Sequence, residues 1–267
     1  MEKLYPIGIQ NFESLRKDNY FYVDKTDLVH RLVSTGRYYF LSRPRRFGKS
    51  LLISTIEAYF QGKKELFEGL AVAGLESEWK KYPVLHLDLN TRKYDSPESL
   101  SSLLDETLIG WEQIYGRNEA EVGLERRFAG IIRRAHEKTG MRTVILVDEY
   151  DKPLLQAIGN DSLQNEFRGI LKAFYGALKS EDGHIRFAML TGVTKFGKVS
   201  VFSDLKIKEK KVWINHDQLP SLQKNDLKQY IKYLNDACES LKYSNHQYEL
   251  TVYFPKNEEN ATIRLLA

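Results

Sequence analysis

A short, wholly apolar run, Tyr38 to Leu41 (YYFL), leads through Ser42–Gly48 into a helical pattern from Lys49 to Phe60. Nothing else in the chain constrains its fold as tightly. A run apolar at every position marks a strand buried on both faces, and such strands belong to parallel sheets covered by helices on each side. The turn that follows reads Arg43-Pro44-Arg45-Arg46-Phe47-Gly48-Lys49-Ser50. Between a strand and a helix, this is the layout of a phosphate-binding loop of the Walker A kind. Backbone N–H groups of such a turn, together with the amino end of the helix, surround phosphate oxygens. Gly48 lets the backbone approach the ligand where a Cβ would obstruct it. The Lys49 ammonium reaches the β- and γ-phosphates, and the Ser50 hydroxyl ligates magnesium. The usual pattern, GxxxxGK[ST], puts its first glycine at the position held here by Arg43. The competing reading is a basic surface turn before a helix, and the partner motif decides against it.

That partner lies about 100 residues on, in the order such sites require. Val144 to Val147 is apolar and is followed by Asp148 and Glu149, the Walker B arrangement of acids at the carboxyl end of a strand. Asp148 is expected to hold magnesium, and Glu149 to polarise the attacking water as general base. Asp151 is a further acid, for which capping of the next segment is the simple reading. A third run, Phe187 to Thr194 (FAMLTGVT), ends on polar residues. There Thr191, with Thr194 second, is the candidate to touch the γ-phosphate or the water; strand-end threonines are also common for structural reasons.

The remaining pattern alternates strand and helix, the rhythm of an α/β protein. Strands are expected at Val84–Leu89, Thr143–Val147 and Ile185–Leu190, with helices at Pro97–Tyr115, Glu119–Lys138 and Ser162–Ser180. Parallel strands joined by helical crossovers imply a three-layer α/β/α sandwich with its ligand at the carboxyl ends of the strands. After Leu205 the character changes. KIKEKK is a solvated charge run, Val212–Asn215 reads as one more strand and Ser221–Leu241 as an amphipathic helix. The expected division is therefore a P-loop domain over 1–205 and a short, incomplete extension over 206–267, carrying a last strand and part of a helical lid.

Composition excludes several classes. Hydrophobic residues are 42% and charged residues 28% of 267, an ordinary globular balance that rules out disorder and fibrous polymers. A single cysteine, Cys238, forms no internal disulfide, which points to a reducing compartment. The amino-terminal stretch lacks the apolar run of a signal peptide, and no 18 consecutive apolar residues occur. The expectation is a cytoplasmic protein with no membrane partner. Net charge is only +4, too small to argue for nucleic acid by itself. Sixteen tyrosines and thirteen phenylalanines read as core.

At these motifs the chain resembles the bacterial AAA-ATPase-like domain proteins, in which the domain often precedes a nuclease-like region of the PD-(D/E)XK type. The resemblance is carried by PIGIQNFESLRKDNYFYVDKT, FLSRPRRFGKSLLISTIEAYF, LHLDLN, ILVDEYDKPLL and LTGVTKFGKVSVFSDL, covering about residues 5–205. Within that family RPRRFGKS is the expected form of the loop. The resemblance implies a P-loop NTPase domain using ATP and Mg2+, with Lys49 and Ser50 on phosphate and magnesium and with Asp148 and Glu149 as Walker B. It places Tyr22–Thr26 (YVDKT) where relatives contact adenine; a turn with a helix cap at Asp24 or Thr26 is the plainer reading. Residues 206–267 hold no separated acid followed by E-x-K on an apolar strand, so no nuclease activity is expected of this chain, which reads as a truncated or naturally short relative.

Arg43, Arg45 and Arg46 either meet the triphosphate, in cis or as a finger toward a neighbouring subunit, or pair with surface acids. The function expected is a slow Mg-dependent ATPase serving as switch or motor for an unknown protein partner. A non-hydrolysing nucleotide-dependent binding module, and an ATP-regulated nucleic-acid-binding protein resting only on the basic cluster at 37–49, are the alternatives. Oligomerisation is compatible with all three.

Overall fold

The computed structural model describes residues 4–193 and, as backbone, the strands at 209–213, 247–252 and 261–263. The chain divides into two compact units, 1–205 and 206–267. In the first, four strands form one parallel sheet in the order β1-β4-β3-β2, with β1 at Tyr38–Ser42, β2 at Val84–Asp88, β3 at Thr143–Asp148 and β4 at Ile185–Gly192.

The connections dictate the layers. From β1 the chain crosses the full width of the sheet to β2 by way of α3 (Lys49–Phe60), then steps back to β3 through α4 (Pro97–Tyr115) and α5 (Leu124–Thr139). It steps on to β4 through α6 (Lys152–Gln156) and α7 (Asp161–Ser180). Parallel crossovers are right-handed, so connections running in opposite directions lie on opposite faces. Accordingly α3 packs on one face, and α4, α5 and α7 pack together over the other. This is the three-layer α/β/α sandwich the strand pattern implied. Two helices precede β1: α1 (Phe12–Lys17), which packs on α3, and α2 (Thr26–Thr35).

Alternation along the strands sorts side chains between the faces. Leu85, Leu87, Ile145, Val147, Ala188 and Leu190 enter the core beneath α4, α5 and α7, where Phe128 of α5 stacks on Phe174 of α7 at 4.3 Å. On the α3 side Phe187 meets Phe60 at 5.2 Å and Tyr39 at 5.5 Å. All six residues of β3 are buried, which is why its sequence shows no alternation. An ion-pair fork ties α4 to α5: Arg127 Nε and Nη2 donate to the two Glu112 carboxylate oxygens at 2.8 and 3.0 Å, and Nη1 pairs with Asp105.

The expected helices at 49–60 and 97–115 are found at those limits, the latter opening on Ser96-Pro97 and closing on Gly116 at φ +92°. Helix α5 starts five residues later than its sequence suggests. Gly123, at φ +92°, sets its entry, and Glu121 turns back to accept from Arg134 at 2.7 Å. The second strand ends at Asp88, one residue short of the expected limit.

In the second unit β5 (Glu209–Trp213) pairs parallel with β6 (Gln247–Val252), which pairs antiparallel with β7 (Ala261–Ile263). The strand expected at 212–215 thus begins earlier, within the charge run. The helix expected at 221–241, Cys238 and Thr194 lie outside the described residues. Among the described residues no helix is long and apolar enough to cross a membrane.

Candidate functional site

A parallel sheet brings every strand's carboxyl end to one edge, and here that edge collects the chemistry. Register pairs Asp88 with Asp148, Leu41 with Thr191 and Ser42 with Gly192. The turn after β1 and the acids after β3 therefore share one rim of the sheet.

The turn from Arg43 to Gly48 is exposed throughout, whereas Lys49 is buried, at 4% exposure, and Ser50 is half-buried. Gly48 flanks α3 at its amino end in a left-handed conformation, φ +73°, and a Cβ built on it would meet nothing within 4 Å. The conformation calls for glycine, and the space above it is open to a ligand. Arg46 is also left-handed, φ +67°. Arg43, Arg45 and Arg46 form no ion pair among the described residues, unlike Arg37, Arg92, Arg127, Arg133 and Arg134.

Lys49 reaches back across its own loop. Its Nζ donates to the carbonyls of Arg43 at 3.1 Å and Pro44 at 3.3 Å, and sits 3.0 Å from Glu149 Oε1. Lys49 of the turn after β1 and Glu149 of the turn after β3 thus touch. The first acid, Asp148, is buried, and its Oδ1 accepts from the Thr191 hydroxyl and from Glu149 N at 3.1 Å. Its other oxygen accepts no hydrogen bond among the described residues. Ser50 and Asp148 offer hard oxygen ligands, the donor chemistry magnesium takes. Among the described residues no group of three or more His, Cys, Asp or Glu gathers as a metal cage. A hydroxyl and a carboxylate, completed by phosphate and water, match the shell magnesium adopts in phosphate sites.

Sequence reasoning missed several contributors. Asp151 stands at the N-cap of α6 but its side chain makes no capping bond; it is fully buried and its Oδ2 accepts from Val193 N at 2.9 Å. Asp88 stands level with Asp148 and accepts from Asn90 N at 2.7 Å; the matching endings of LHLD and ILVD were the available signal. His86, on the same strand, bonds Glu57 of α3 at 2.9 Å. Burial draws its pKa down, but the Glu57 carboxylate, helped by the charges of Asp88 and Asp148, outweighs burial and leaves it raised. Tyr22–Lys25 leads into α2, which starts at Thr26: Asp24 accepts from Thr26 N at 2.9 Å, from the Thr26 hydroxyl at 2.7 Å and from Ala71 N at 2.7 Å, and Tyr22 packs edge-on against Phe12. Burial would raise the Asp24 pKa, yet these hydrogen bonds carry it below the usual range.

Comparison with known proteins follows the same outline. A family model described as a predicted AAA-ATPase matches residues 6–202. An uncharacterized protein in the vnfD 5' region of Azotobacter chroococcum mcd 1 is 43% identical over 204 residues, covering 76% of this chain and 40% of that protein. The match thus covers well under half the length of that relative.

Proposed function

Because the chain belongs to the predicted AAA-ATPase family and carries its P-loop NTPase domain, we propose that it binds Mg-ATP on the Arg43–Ser50 turn and hydrolyses it slowly, as a switch or motor for a protein partner. The observation that carries this reading is the meeting of Lys49 Nζ and Glu149 Oε1 at 3.0 Å, at the sheet edge that also presents Asp148 and Thr191.

In this reading the N–H groups of the 43–48 turn and of the first turn of α3 take the phosphate oxygens. Lys49 exchanges its contacts on Arg43 O, Pro44 O and Glu149 for the β- and γ-phosphates. Glu149, released from the ammonium, accepts a proton from water as that water's oxygen bonds to the γ-phosphorus. The bond from the γ-phosphorus to the β–γ bridging oxygen breaks, and ADP leaves with the electron pair. Ser50 and Asp148 would hold magnesium, which when bound neutralises charge on the β- and γ-phosphate oxygens. Thr191 keeps Asp148 oriented. One of the turn's arginines, Arg43, Arg45 or Arg46, supplies positive charge to the triphosphate of the same or a neighbouring subunit.

The direct test is equilibrium binding of Mg-ATP and Mg-ADP to the purified chain and to Lys49→Ala. The reading requires saturable binding by the wild type and a loss of about tenfold or more in the variant, since Lys49 contacts both distal phosphates. Equal affinity in the two proteins would contradict it. Binding with no phosphate release at any protein concentration would turn the assignment to a nucleotide-dependent binding module. Steeply salt-dependent DNA or RNA binding would favour the nucleic-acid alternative.

A further inference from the structure

The end of β4 is bonded in two directions at once. Toward the phosphate turn, Gly192 O accepts from Arg43 N at 3.1 Å and Val193 O accepts from the Ser42 hydroxyl at 3.1 Å. Toward the acids, Thr191 O accepts from Tyr150 N at 2.8 Å, and the Thr191 hydroxyl donates to Asp148 and lies 3.4 Å from Glu149 N. The last tie is Asp151 Oδ2, which accepts from Val193 N at 2.9 Å across 42 residues.

The fit around this tie is close. Asp151 has 0% exposure, and a carboxyl group withdrawn from water is costly unless hydrogen-bonded. A Cβ on Gly192 would stand 2.4 Å from Tyr150 Cε1 and 2.7 Å from Asp151 Oδ1. Glycine is required here for the close approach of the 150–151 side chains to the strand. Tyr150 is itself wedged edge-on against Phe40 of β1 at 4.9 Å.

Between the fixed Asp148 and the fixed Tyr150 sits Glu149, in a left-handed conformation at φ +53°. A non-glycine residue holds that conformation only where its surroundings impose it. Here they are the bonds to the end of β4 on either side of Glu149. We propose that Asp151 is a positioning residue for hydrolysis: by holding Val193 N it keeps the end of β4 against the acid turn and so fixes where the Glu149 carboxylate stands. The inference rests on the proposed ATPase reading. Removing the Asp151 carboxyl group frees Val193 N and lets Thr191 and the acid turn separate. The phosphate turn keeps its own bond, Arg43 N to Gly192 O. Turnover and nucleotide affinity therefore part company.

The experiment compares the wild type with Asp151→Ala, Asp151→Asn and Gly192→Ala in the full chain. It measures phosphate release from Mg-ATP, Mg-ADP affinity, and far-ultraviolet circular dichroism as the control for folding. Asp151→Ala is expected to lose about tenfold or more in kcat, because small misplacements of a reacting group are costly. Its Mg-ADP affinity stays within about threefold of wild type, the signature of an effect on the reaction step alone. Asp151→Asn, whose Oδ1 still accepts from Val193 N, restores kcat to within about threefold. Gly192→Ala, whose methyl group has no room, reproduces the Asp151→Ala split and carries the test should Asp151→Ala not fold. Wild-type turnover in a folded Asp151→Ala, parallel loss of affinity and turnover, or an Asp151→Asn as impaired as the alanine variant would each overturn the inference while leaving the ATPase reading intact. Absence of turnover in the wild type would overturn both.

Discussion

Thr191→Val isolates the contact that orients Asp148, the acid proposed above to hold magnesium. The hydroxyl is fully buried, donates to Asp148 Oδ1 and lies 3.4 Å from Glu149 N. Valine keeps the shape of the side chain and removes only the hydroxyl. Asp148 Oδ1 is then left with Glu149 N alone, at 3.1 Å. A hydrogen bond to a charged group contributes about 1.5–3 kcal/mol to stability. For a domain of this size each kcal/mol corresponds to roughly 2–4 °C in Tm, so a loss of about 3–12 °C is expected. The assay is thermal unfolding without nucleotide, wild type beside Thr191→Val and Thr191→Ser. Serine retains the hydroxyl and recovers most of the loss. Coincident transitions for wild type and Thr191→Val would refute the claim that this hydroxyl holds Asp148.

Three further outcomes follow from the same structure. Gly48→Ala keeps the fold, since its Cβ meets nothing within 4 Å, but forces alanine to φ +73° at about 1–2 kcal/mol and lowers Mg-ATP affinity; titration calorimetry with unchanged affinity would contradict the phosphate turn. Arg127→Ala leaves Glu112 buried without its fork and is expected to cost about 3–5 kcal/mol in urea unfolding, whereas a change below about 1 kcal/mol would assign the pair to the exposed class. Glu13 is drawn from 4.5 down to about 2 by hydrogen bonds from Lys17 and then Lys63. A depressed carboxylate stabilises the fold above its unfolded pKa, and that contribution is lost as pH falls from about 4.5 toward 2. Glu13→Gln should flatten that part of the Tm–pH curve, and identical slopes would refute the assignment.

The fold was legible where local chemistry and tertiary packing agree. Helices 49–60 and 97–115 are bounded by Gly48 at one start and by Ser96-Pro97 and Gly116 around the other, signals that act within a few residues. The start of α5 misled because Glu119 to Glu121 looks helical, while Gly123 and the Glu121–Arg134 pair act against that pattern. Helices α1 and α6, at 6 and 5 residues, are too short to show a period. At the site, the two motifs were readable because each is contiguous. Asp151 is at the N-cap of α6 as its position suggests, but its side-chain bond to Val193 N spans 42 residues, and no spacing rule reports such a bond. The pairing of His86 with Glu57, across 29 residues, was hidden for the same reason.

The central claim is that Lys49 and Glu149, joined in one ion pair, serve different steps on one nucleotide. Phosphate release from Mg-ATP, followed for the wild type, Lys49→Ala and Glu149→Gln with nucleotide binding measured in parallel, addresses it most directly. The account predicts turnover by the wild type only, with Glu149→Gln still binding Mg-ATP and Lys49→Ala binding it poorly. Turnover by Glu149→Gln at the wild-type rate, or loss of binding and turnover together in that variant, would contradict it.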